Sequence, residues 1–305
     1  MPKPQSVIPS ESGDYAVYLT YTLRSGFRLA TVRRALAALP ELTRTIAKET
    51  REKSLTSLVA IGARAWPRVM TEPRPPGLAP FKAIKDGKRT APSTPADLFI
   101  QITANRHAAC FHLAHRFAPL LGGEVRLVEE VHGFRNVEGR DLTGFVDGTE
   151  NPKGANAVKA AVVGRELPGY EGGSFLSIQR YVHNLAKWET RSVTEQERTI
   201  GRTKKGDKEM SDATKPPTAH IARAVIEENG EELEIVRRSL PYATTSEAGI
   251  YFIAYGRTPD NFRKMLNRLM RADAHGHYDH LMNFTQAVTG ASFFAPSIEM
   301  LESLA

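Results

Sequence analysis

Cysteine is almost absent from this chain: Cys110 is the only one among 305 residues. A single cysteine can form neither an internal disulfide nor a four-cysteine zinc site. No run of about 18 uninterrupted apolar residues is present, which argues against a membrane-spanning helix. The first six residues also lack the apolar core of a secretory signal. Together these absences predict a cytoplasmic protein that does not associate with a membrane.

A large excess of one charge is also missing, because 41 basic residues stand against 34 acidic ones and leave a net charge of +7. The arginines and lysines are scattered, and no segment joins a basic helix to a known nucleic-acid-binding motif. We therefore expect no nucleic acid as a partner. A hydrophobic content of 41% with 25% charged residues is typical of globular proteins, and the length suits about two domains.

The first half of the chain alternates predicted strands with predicted helices. Apolar residues at helical spacing follow Leu29 until Pro40 interrupts them, and Asn105 is expected to cap a second helix. Runs rich in aromatic and β-branched residues predict strands at 15–22, 55–62, 97–103 and from 125 onward. The order strand, helix, strand, loop, strand, helix, strand is typical of a ferredoxin-like sandwich.

The second half repeats this order. A helix is expected from Pro259 onward. Strand patterns occur at 174–182, 232–238 and 249–255. The block of strand, capped helix and strand thus occurs at 97–128 and again at 249–286. We predict an α+β protein with a duplicated ferredoxin-like fold, in which helices pack on antiparallel sheets. The predicted division is an N-terminal domain at 1–135, a connecting segment at 136–160 and a C-terminal domain at 161–305.

The segment from 132 to 152 is too polar and too rich in glycine for a regular element. Gly144 and Gly148 flank the tripeptide Phe-Val-Asp, which predicts a tightly bent backbone that approaches another group closely. From spacing alone, an ordinary turn that joins two domains explains the segment equally well.

The sequence Gly144-Phe145-Val146-Asp147-Gly148 resembles the G-x-x-D-G signature of dye-decolourising peroxidases, which are haem enzymes with two ferredoxin-like domains. The surrounding sequence strengthens the resemblance, which runs from about residue 15 to the end and is closest to the compact bacterial, cytoplasmic branch. The similar segments are Phe134-Arg135, Thr149-Glu150-Asn151-Pro152, the loop from Gly201 to Pro217, Ala219-His220-Ile221, Arg237 to Tyr242, Phe252 to Tyr255 and Gly290 to Ser297.

This resemblance implies a haem b peroxidase with one haem per chain. Such an enzyme reduces hydrogen peroxide and oxidises organic donors by one-electron steps; dyes, phenols and porphyrinogens are the candidate donors. The resemblance makes His220 the proximal ligand of the haem iron and Asp279 the carboxylate that accepts the other imidazole N–H.

On the opposite side of the haem, the resemblance places Asp147 as the group that moves a proton and Arg237 as the cation that stabilises developing negative charge. Which of the two dominates stays open. Gly148, Thr149 and Phe252 complete the expected haem-binding set.

Strand alternation separates Arg237 from its neighbour Arg238. Side chains at 237 and 239 share one face of a strand, and the side chain at 238 lies on the other. The family pattern of Arg-x-Ser before an apolar residue and a proline then puts Arg237 and Ser239 on the haem face. Ser239 is therefore a further catalytic candidate.

Two other functions remain open. A haem storage or delivery protein with incidental peroxidase activity could use the same pocket. A site for a metal ion without haem could form in the histidine-rich stretch 275–280, which includes Asp279, or at His112 and His115. The aromatic residues Trp188, Tyr181 and Tyr251 could relay electrons, although such residues usually serve packing.

The sequence also predicts how the protein assembles with other chains. Some relatives carry a C-terminal tail that docks them inside a protein shell. Here only eight residues follow Ser297, so we expect no encapsulating shell. Two ferredoxin-like units offer edges and faces for association, and we expect a homo-oligomer.

Overall fold

The computed structural model describes residues 2–11 and 13–305 of the chain. The strands are β1 (Tyr15–Leu23), β2 (Thr56–Gly62), β3 (Ile84–Asp86), β4 (Arg89–Ala91), β5 (Leu98–Ala104), β6 (Val125–Phe134), β7 (Ser174–His183), β8 (Glu227–Glu228), β9 (Glu231–Glu232), β10 (Val236–Arg237), β11 (Leu240–Ala243), β12 (Ala248–Gly256), β13 (Thr285–Ala287) and β14 (Ala291–Ala295). The helices are α1 (Leu29–Thr50), α2 (Trp66–Val69), α3 (His107–Phe117), α4 (Gly154–Ala161), α5 (Leu185–Glu189), α6 (Val193–Ile200), α7 (His220–Ala224), α8 (Asp260–Met270) and α9 (Ile298–Glu302).

The main sheet has ten antiparallel strands and runs through both halves of the chain. Its order is β10-β12-β7-β14-β2-β5-β1-β6, with β11 added on β12 and β13 on β7. Strand β14 joins the halves, because it pairs with β7 on one side and with β2 on the other. The duplicated α+β fold is confirmed, and the two predicted sheets are continuous with each other.

The sheet folds over on itself, so that one face of each half turns inward. Tyr18 of β1 stacks on Tyr251 of β12 with ring centroids 4.3 Å apart, although β7, β14, β2 and β5 lie between their strands in the sheet. The outer face of the first half carries Val17 and Leu19 and packs on α1 and α3. Strand periodicity thus produces a core between the halves and a second one under the helices.

The outer face of the second half positions the candidate site. Helix α8 covers part of it, and its Phe262 and Leu266 pack against Tyr181 and Ala254. Phe252, on the same face of β12, is only partly buried. Across residues 2–11 and 13–305, no helix is both long and apolar enough to cross a membrane.

Helix α1 does not end at the predicted proline. It continues through Pro40 to Thr50, because its buried face continues with Leu39, Thr43 and Ile46. Proline costs a helix interior about 3 kcal/mol, and burying one leucine or isoleucine side chain returns about 1.5–3 kcal/mol. The buried residues on both sides of Pro40 therefore outweigh the lost hydrogen bond.

Three other local predictions are wrong. Asn105 does not cap α3, since its side-chain oxygen accepts a hydrogen bond from the Asp14 N–H instead. The predicted strand 232–238 is broken between β9 and β10. Residues 132–134 continue β6 despite their polarity, because they pair with β1 at Tyr15–Val17.

Candidate active site

The loop that carries Asp147 bends at two glycines, as the sequence predicts. Gly144 and Gly148 have φ angles of 88° and 78°, which favour glycine over residues with a side chain. A Cβ on Gly144 would lie 2.6 Å from Cε of Lys204. The close approach is therefore to the stem of this lysine, whose ammonium group donates to Gln196.

A buried carboxylate ties the start of this loop to strand β7. Asp141 accepts hydrogen bonds from the Thr143 N–H at 3.0 Å and from His183 Nε2 at 3.2 Å. Burial raises the pKa of Asp141. The hydrogen bond and charge of His183 and the two hydrogen bonds from Thr143 lower it by more, so the net pKa lies below its usual value. A charged Asp141 therefore anchors the loop to the sheet.

A single side chain aligns the end of the loop with Arg237. The Asn151 amide donates to the carbonyl of Arg237 at 2.9 Å, and its oxygen accepts from the Arg237 N–H at 2.8 Å. The Asn151 side chain thus bonds both main-chain groups of Arg237, as a residue on a neighbouring β-strand would. The loop of Asp147 and the strand of Arg237 are thereby held in one register.

Asp147 has the electrostatic properties of a proton acceptor. Burial raises the pKa of its carboxyl group, and the charge of Asp141 raises it as well, while Arg237 and His220 lower it. The net pKa lies above its usual value. Burial and the neighbouring negative charge thus bring Asp147 closer to the pH at which it can both take up and return a proton.

The structure places Arg237 and Arg238 on opposite faces. Arg237 pairs with Ala254 in the sheet, and strand periodicity puts Phe252 on the same face. Arg238 is buried on the inner face, where its guanidinium lies 3.4 Å from the Ile8 carbonyl. Ser239 is also buried, and its hydroxyl accepts a hydrogen bond from the Ile253 N–H at 3.1 Å.

His220 opens helix α7 and is held by one carboxylate. Its Nδ1 donates to Oδ2 of Asp279 over 2.7 Å, and Asp279 is fully buried. Burial lowers the pKa of His220, but the charge and hydrogen bond of the Asp279 carboxylate raise it by more, so the net pKa lies above its usual value. An Nδ1–H held in this way leaves the Nε2 lone pair free to bind a metal.

Five of the predicted residues meet around one cavity of about 750 Å³: Asp147, Gly148, Thr149, Arg237 and Ser239. The Thr149 hydroxyl donates a hydrogen bond to Oδ2 of Asp207 at 2.6 Å. Phe252 packs on Phe262 of α8 with ring centroids 5.5 Å apart, outside the cavity lining. His220 is also outside the lining, and it is linked to the group through its charge interactions with Asp147 and Arg237.

The residues present fit a haem. Within the described ranges, Nε2 of His220 has no hydrogen-bond partner, and the guanidinium of Arg237 has neither a hydrogen bond nor an ion pair. A neutral imidazole held by a carboxylate is a suitable axial ligand. The free cation of Arg237 suits an anionic group on the opposite side.

The alternative metal sites do not form in this structure. Among residues 2–11 and 13–305, no three histidine, cysteine or acidic side chains are placed to hold a metal ion. Asp279 is bound by His220, and Asp273 accepts from Arg223 at 2.9 Å. His112 and His115 both pack beside the exposed ring of Phe111.

Two family models match the chain almost end to end. The model for the N-terminal part of Dyp-type peroxidases matches residues 5–135, and the model for the C-terminal part matches residues 138–300. The chain belongs to the Dyp-type peroxidase family. It is a haem peroxidase, and a haem storage or delivery role is not favoured.

Individual relatives agree with this assignment. The chain is 43% identical over 290 residues to the dye-decolorizing peroxidase of Mycobacterium tuberculosis, which covers 94% of this chain and 86% of the relative. The encapsulated DyP-type peroxidase from Mycobacterium smegmatis superposes with a TM-score of 0.95 at 41% identity, over 99% of this chain and 98% of the other. A DypB variant from Rhodococcus jostii RHA1 in complex with haem gives a TM-score of 0.93 at 35% identity, over 98% of both chains. The family therefore includes a solved member that binds haem.

Sequence reasoning missed the residues that hold the Asp147 loop in place. Besides Asn151, Arg140 donates to the carbonyls of Gly144 at 3.0 Å and Lys204 at 2.6 Å. The position of Asn151, three residues after the Gly-x-x-Asp-Gly segment and directly before Pro152, is a usable signal. Asparagine often hydrogen-bonds backbone groups, but nothing in the sequence shows which backbone it would reach.

We expect Asn151→Ala to slow the reaction with peroxide by about 10–100-fold while haem is retained, because a shift of about 1 Å in a reacting group can cost about 100-fold. Stopped-flow mixing of the haem-loaded protein with peroxide measures this rate. Asn156→Ala is the matched control, since Asn156 is exposed on α4. Equal rates for the two variants would show that the Asn151 pair does not position the site.

Proposed function

We propose that His220 is the proximal haem ligand and that Asp147 and Arg237 act on peroxide on the other side. The main support is the 2.7 Å hydrogen bond from His220 to Asp279, which leaves Nε2 available. The second support is the unpaired guanidinium of Arg237 near the Asp147 carboxyl group. Bound haem supplies the iron that takes electrons from donors and passes them to peroxide.

In this proposal Asp147 moves one proton. A carboxylate oxygen of Asp147 accepts it from the peroxide oxygen that remains, and then gives it to the oxygen that leaves as water. The bonds of Asp141 and Asn151 keep the loop that carries Asp147 at a fixed distance from β10.

Arg237 provides the positive charge that balances the negative charge formed during the reaction. Negative charge grows on the departing oxygen as the O–O bond breaks, and the guanidinium of Arg237 is the cation that stabilises it. Gly148 and Thr149 lie beside Asp147 at the same cavity, and Phe252 offers an apolar ring on the same face of the sheet as Arg237. We assign Gly148, Thr149 and Phe252 to haem binding. Ser239 supports the corner between β10 and β11 through its bond from the Ile253 N–H, and its catalytic contact stays a prediction.

The electron donors are small organic molecules. Dyes, phenols and porphyrinogens are the candidates, and the names of the relatives point to dyes. An absorption spectrum of the purified protein before and after addition of peroxide, followed by donor oxidation, tests the whole assignment. A spectrum without haem after growth with ample haem, or haem that does not respond to peroxide, would contradict it.

We propose a cytoplasmic, homo-oligomeric protein with the predicted domain division at 1–135, 136–160 and 161–305. The free thiol of Cys110 is buried, and burial raises its pKa to about 12, so it is a poor nucleophile and suits a reducing compartment. Size-exclusion chromatography with light scattering tests the oligomeric state, and a single mass equal to the monomer would contradict that part.

We also propose that residues 298–305 do not dock this protein inside a shell. They form α9 and pack inward, with Leu301 fully buried and Leu304 nearly so in the core beside α1. The main chain of Ile298 is bonded to Lys3. A segment that is part of the core is not free to bind a partner.

This packing gives a measurable expectation. Leu301→Ala should lower the free energy of unfolding by about 2–5 kcal/mol, because it leaves a cavity in the core. The exposed neighbour serves as control: Glu302→Ala should change it by less than about 0.5 kcal/mol. Chemical denaturation measures both. Equal effects, or capture of a shell protein that depends on residues 298–305, would overturn the proposal.

A further inference from the structure

A second cavity, of about 230 Å³, lies between helix α8, the loop that precedes β3 and the outer face of β7 and β14. Ser177 of β7 and Ser292 of β14, which pair with each other in the sheet, line its floor. Its walls are mainly apolar, with the ring of Phe81 on the loop and that of Phe262 on α8. Among the described residues, this cavity has no lining residue in common with the cavity of the active site.

The sheet register separates this second cavity from the active site. Ser177 pairs with Ala254 of β12, and Ala254 pairs with Arg237 of β10. Neighbouring strands are about 4.8 Å apart, so the floor lies roughly 10 Å or more from the strand of Arg237. Helix α8 contacts α7, the helix of His220, with a different side, from which Arg268 donates to the Ala222 carbonyl at 3.1 Å. A ligand in the second cavity therefore does not compete with haem for space.

The charged residues at the rim of this cavity are all cations. Arg263, Asn267 and Arg271 follow each other at four-residue spacing and so form one row along α8, while Lys82 lies on the loop opposite. Arg263 pairs with exposed Asp260 at the start of the helix, and Nε of Arg271 donates to Asn267 at 3.1 Å. Within the described ranges, no acidic side chain lies within ion-pair distance of Arg271 or Lys82, and none lines the cavity. An apolar cavity with a purely cationic rim suits an apolar ligand that carries negative charge.

We propose that this cavity binds a small aromatic carboxylate, with the ring of the ligand between Phe81 and Phe262 and its carboxylate at Arg263 and Arg271. Aromatic rings pack favourably against each other, and a planar guanidinium matches a carboxylate through two parallel hydrogen bonds. The volume is somewhat below the range of about 300–1,000 Å³ for drug-sized ligands, so it selects a ligand with a single ring and a short acidic arm. This site is additional to the proposed peroxidase function and does not depend on it.

The test compares ligands that differ in charge or in the ring. Phenylacetate, its neutral amide phenylacetamide, and acetate are titrated calorimetrically into the haem-loaded protein without peroxide, at neutral pH. We expect phenylacetate to bind at least about fivefold more tightly than the amide, which is the upper end for an exposed ion pair. Acetate should bind at least about tenfold more weakly than phenylacetate, because it buries no ring. Equal affinities of phenylacetate and the amide, or no binding of phenylacetate, would overturn the proposal.

Variants then locate the binding site. The double variant Arg263→Gln with Arg271→Gln should abolish the difference between phenylacetate and the amide, and both positions are exposed, so the fold is retained. Lys264→Gln is the matched control, because Lys264 is exposed on the same helix, pairs with Glu228 and does not line the cavity; it should keep the full difference. Phe81→Ala should weaken both ligands by about 2–10-fold and leave their ratio unchanged, since it removes a ring contact and no charge. An unchanged ratio in the double variant, or unchanged binding in Phe81→Ala, would refute the assignment.

Two further measurements distinguish this site from the active site. Phenylacetate should bind Arg237→Leu as tightly as the unaltered protein, because Arg237 lines only the active-site cavity. Saturating phenylacetate should also leave the absorption spectrum of the haem unchanged. Loss of binding in Arg237→Leu, or a changed haem spectrum, would place the ligand in the active site and overturn the proposal. Binding is measured without peroxide, so its failure leaves the proposed function untouched, and a protein that binds phenylacetate but does not react with peroxide would contradict only that function.

Discussion

His220→Ala should fold and yet lose most of its haem and more than about 100-fold of its peroxidase activity. The expectation follows from the free Nε2 and the 2.7 Å bond from Nδ1 to Asp279, which together make His220 the best axial ligand in the structure. Loss of a group next to a metal ligand already costs about 10–100-fold, and loss of the ligand itself should cost more. Haem content per chain is measured by the pyridine haemochrome spectrum.

The matched control for this prediction is His275→Ala. His275 is exposed, and its backbone N–H rather than its ring is bonded to Asp273. Haem content and activity should be retained in this variant. Far-UV circular dichroism of His220→Ala separates loss of the ligand from loss of the fold. A His220→Ala protein that purifies with a full complement of haem would remove His220 from the proximal position.

The partner of His220 is expected to tune the ligand rather than to supply it. Asp279 accepts from both His220 and the Leu281 N–H, at 2.7 and 2.9 Å. These bonds fix the ring orientation and keep the proton on Nδ1. The carboxylate therefore makes Nε2 more electron-donating, and the same contact explains why Asp279 cannot also serve a histidine-rich metal site.

The sequence predicts this fold well where one physical effect acts alone. Strand β5 is rich in aromatic and β-branched residues and is buried along its whole length, so the strand predicted at 97–103 is found within one residue. Strand alternation also suffices for Arg237 and Arg238, because a regular pairing with β12 sets their faces. Local pattern fails at Pro40, where burial of neighbouring residues outweighs helix propensity.

The site is less accessible from local patterns because its contacts span long stretches of chain. His220 and Asp279 are 59 positions apart, and Asn151 reaches the backbone of a residue 86 positions away. Only the resemblance to a family could pair His220 with Asp279. It could not show Asn151, because the bond goes to main-chain atoms and leaves no complementary residue type in the sequence.

Arg237→Leu should shift the acid limb of the peroxide reaction to higher pH. Burial raises the pKa of Asp147, while Arg237 lowers it by favouring the charged carboxylate. Removal of this cation therefore raises the pKa of Asp147 further, so the carboxylate becomes protonated at a higher pH during acidification. Since only the ionised form can accept a proton, the rate should begin to fall at a higher pH than in the unaltered enzyme.

The same substitution should also reduce the rate at neutral pH by about 100–1,000-fold, because the departing oxygen loses its cation. Stopped-flow mixing with peroxide between acidic and neutral pH measures both effects in the haem-loaded protein. Arg116→Leu is the control, because Arg116 is exposed and pairs with exposed Glu49; its profile should match that of the unaltered enzyme. Asp147→Asn should abolish the acid limb altogether, since it removes the titrating group. A limb that persists in Asp147→Asn belongs to another group, and one that stays in place in Arg237→Leu means that Arg237 does not act on the charge of Asp147.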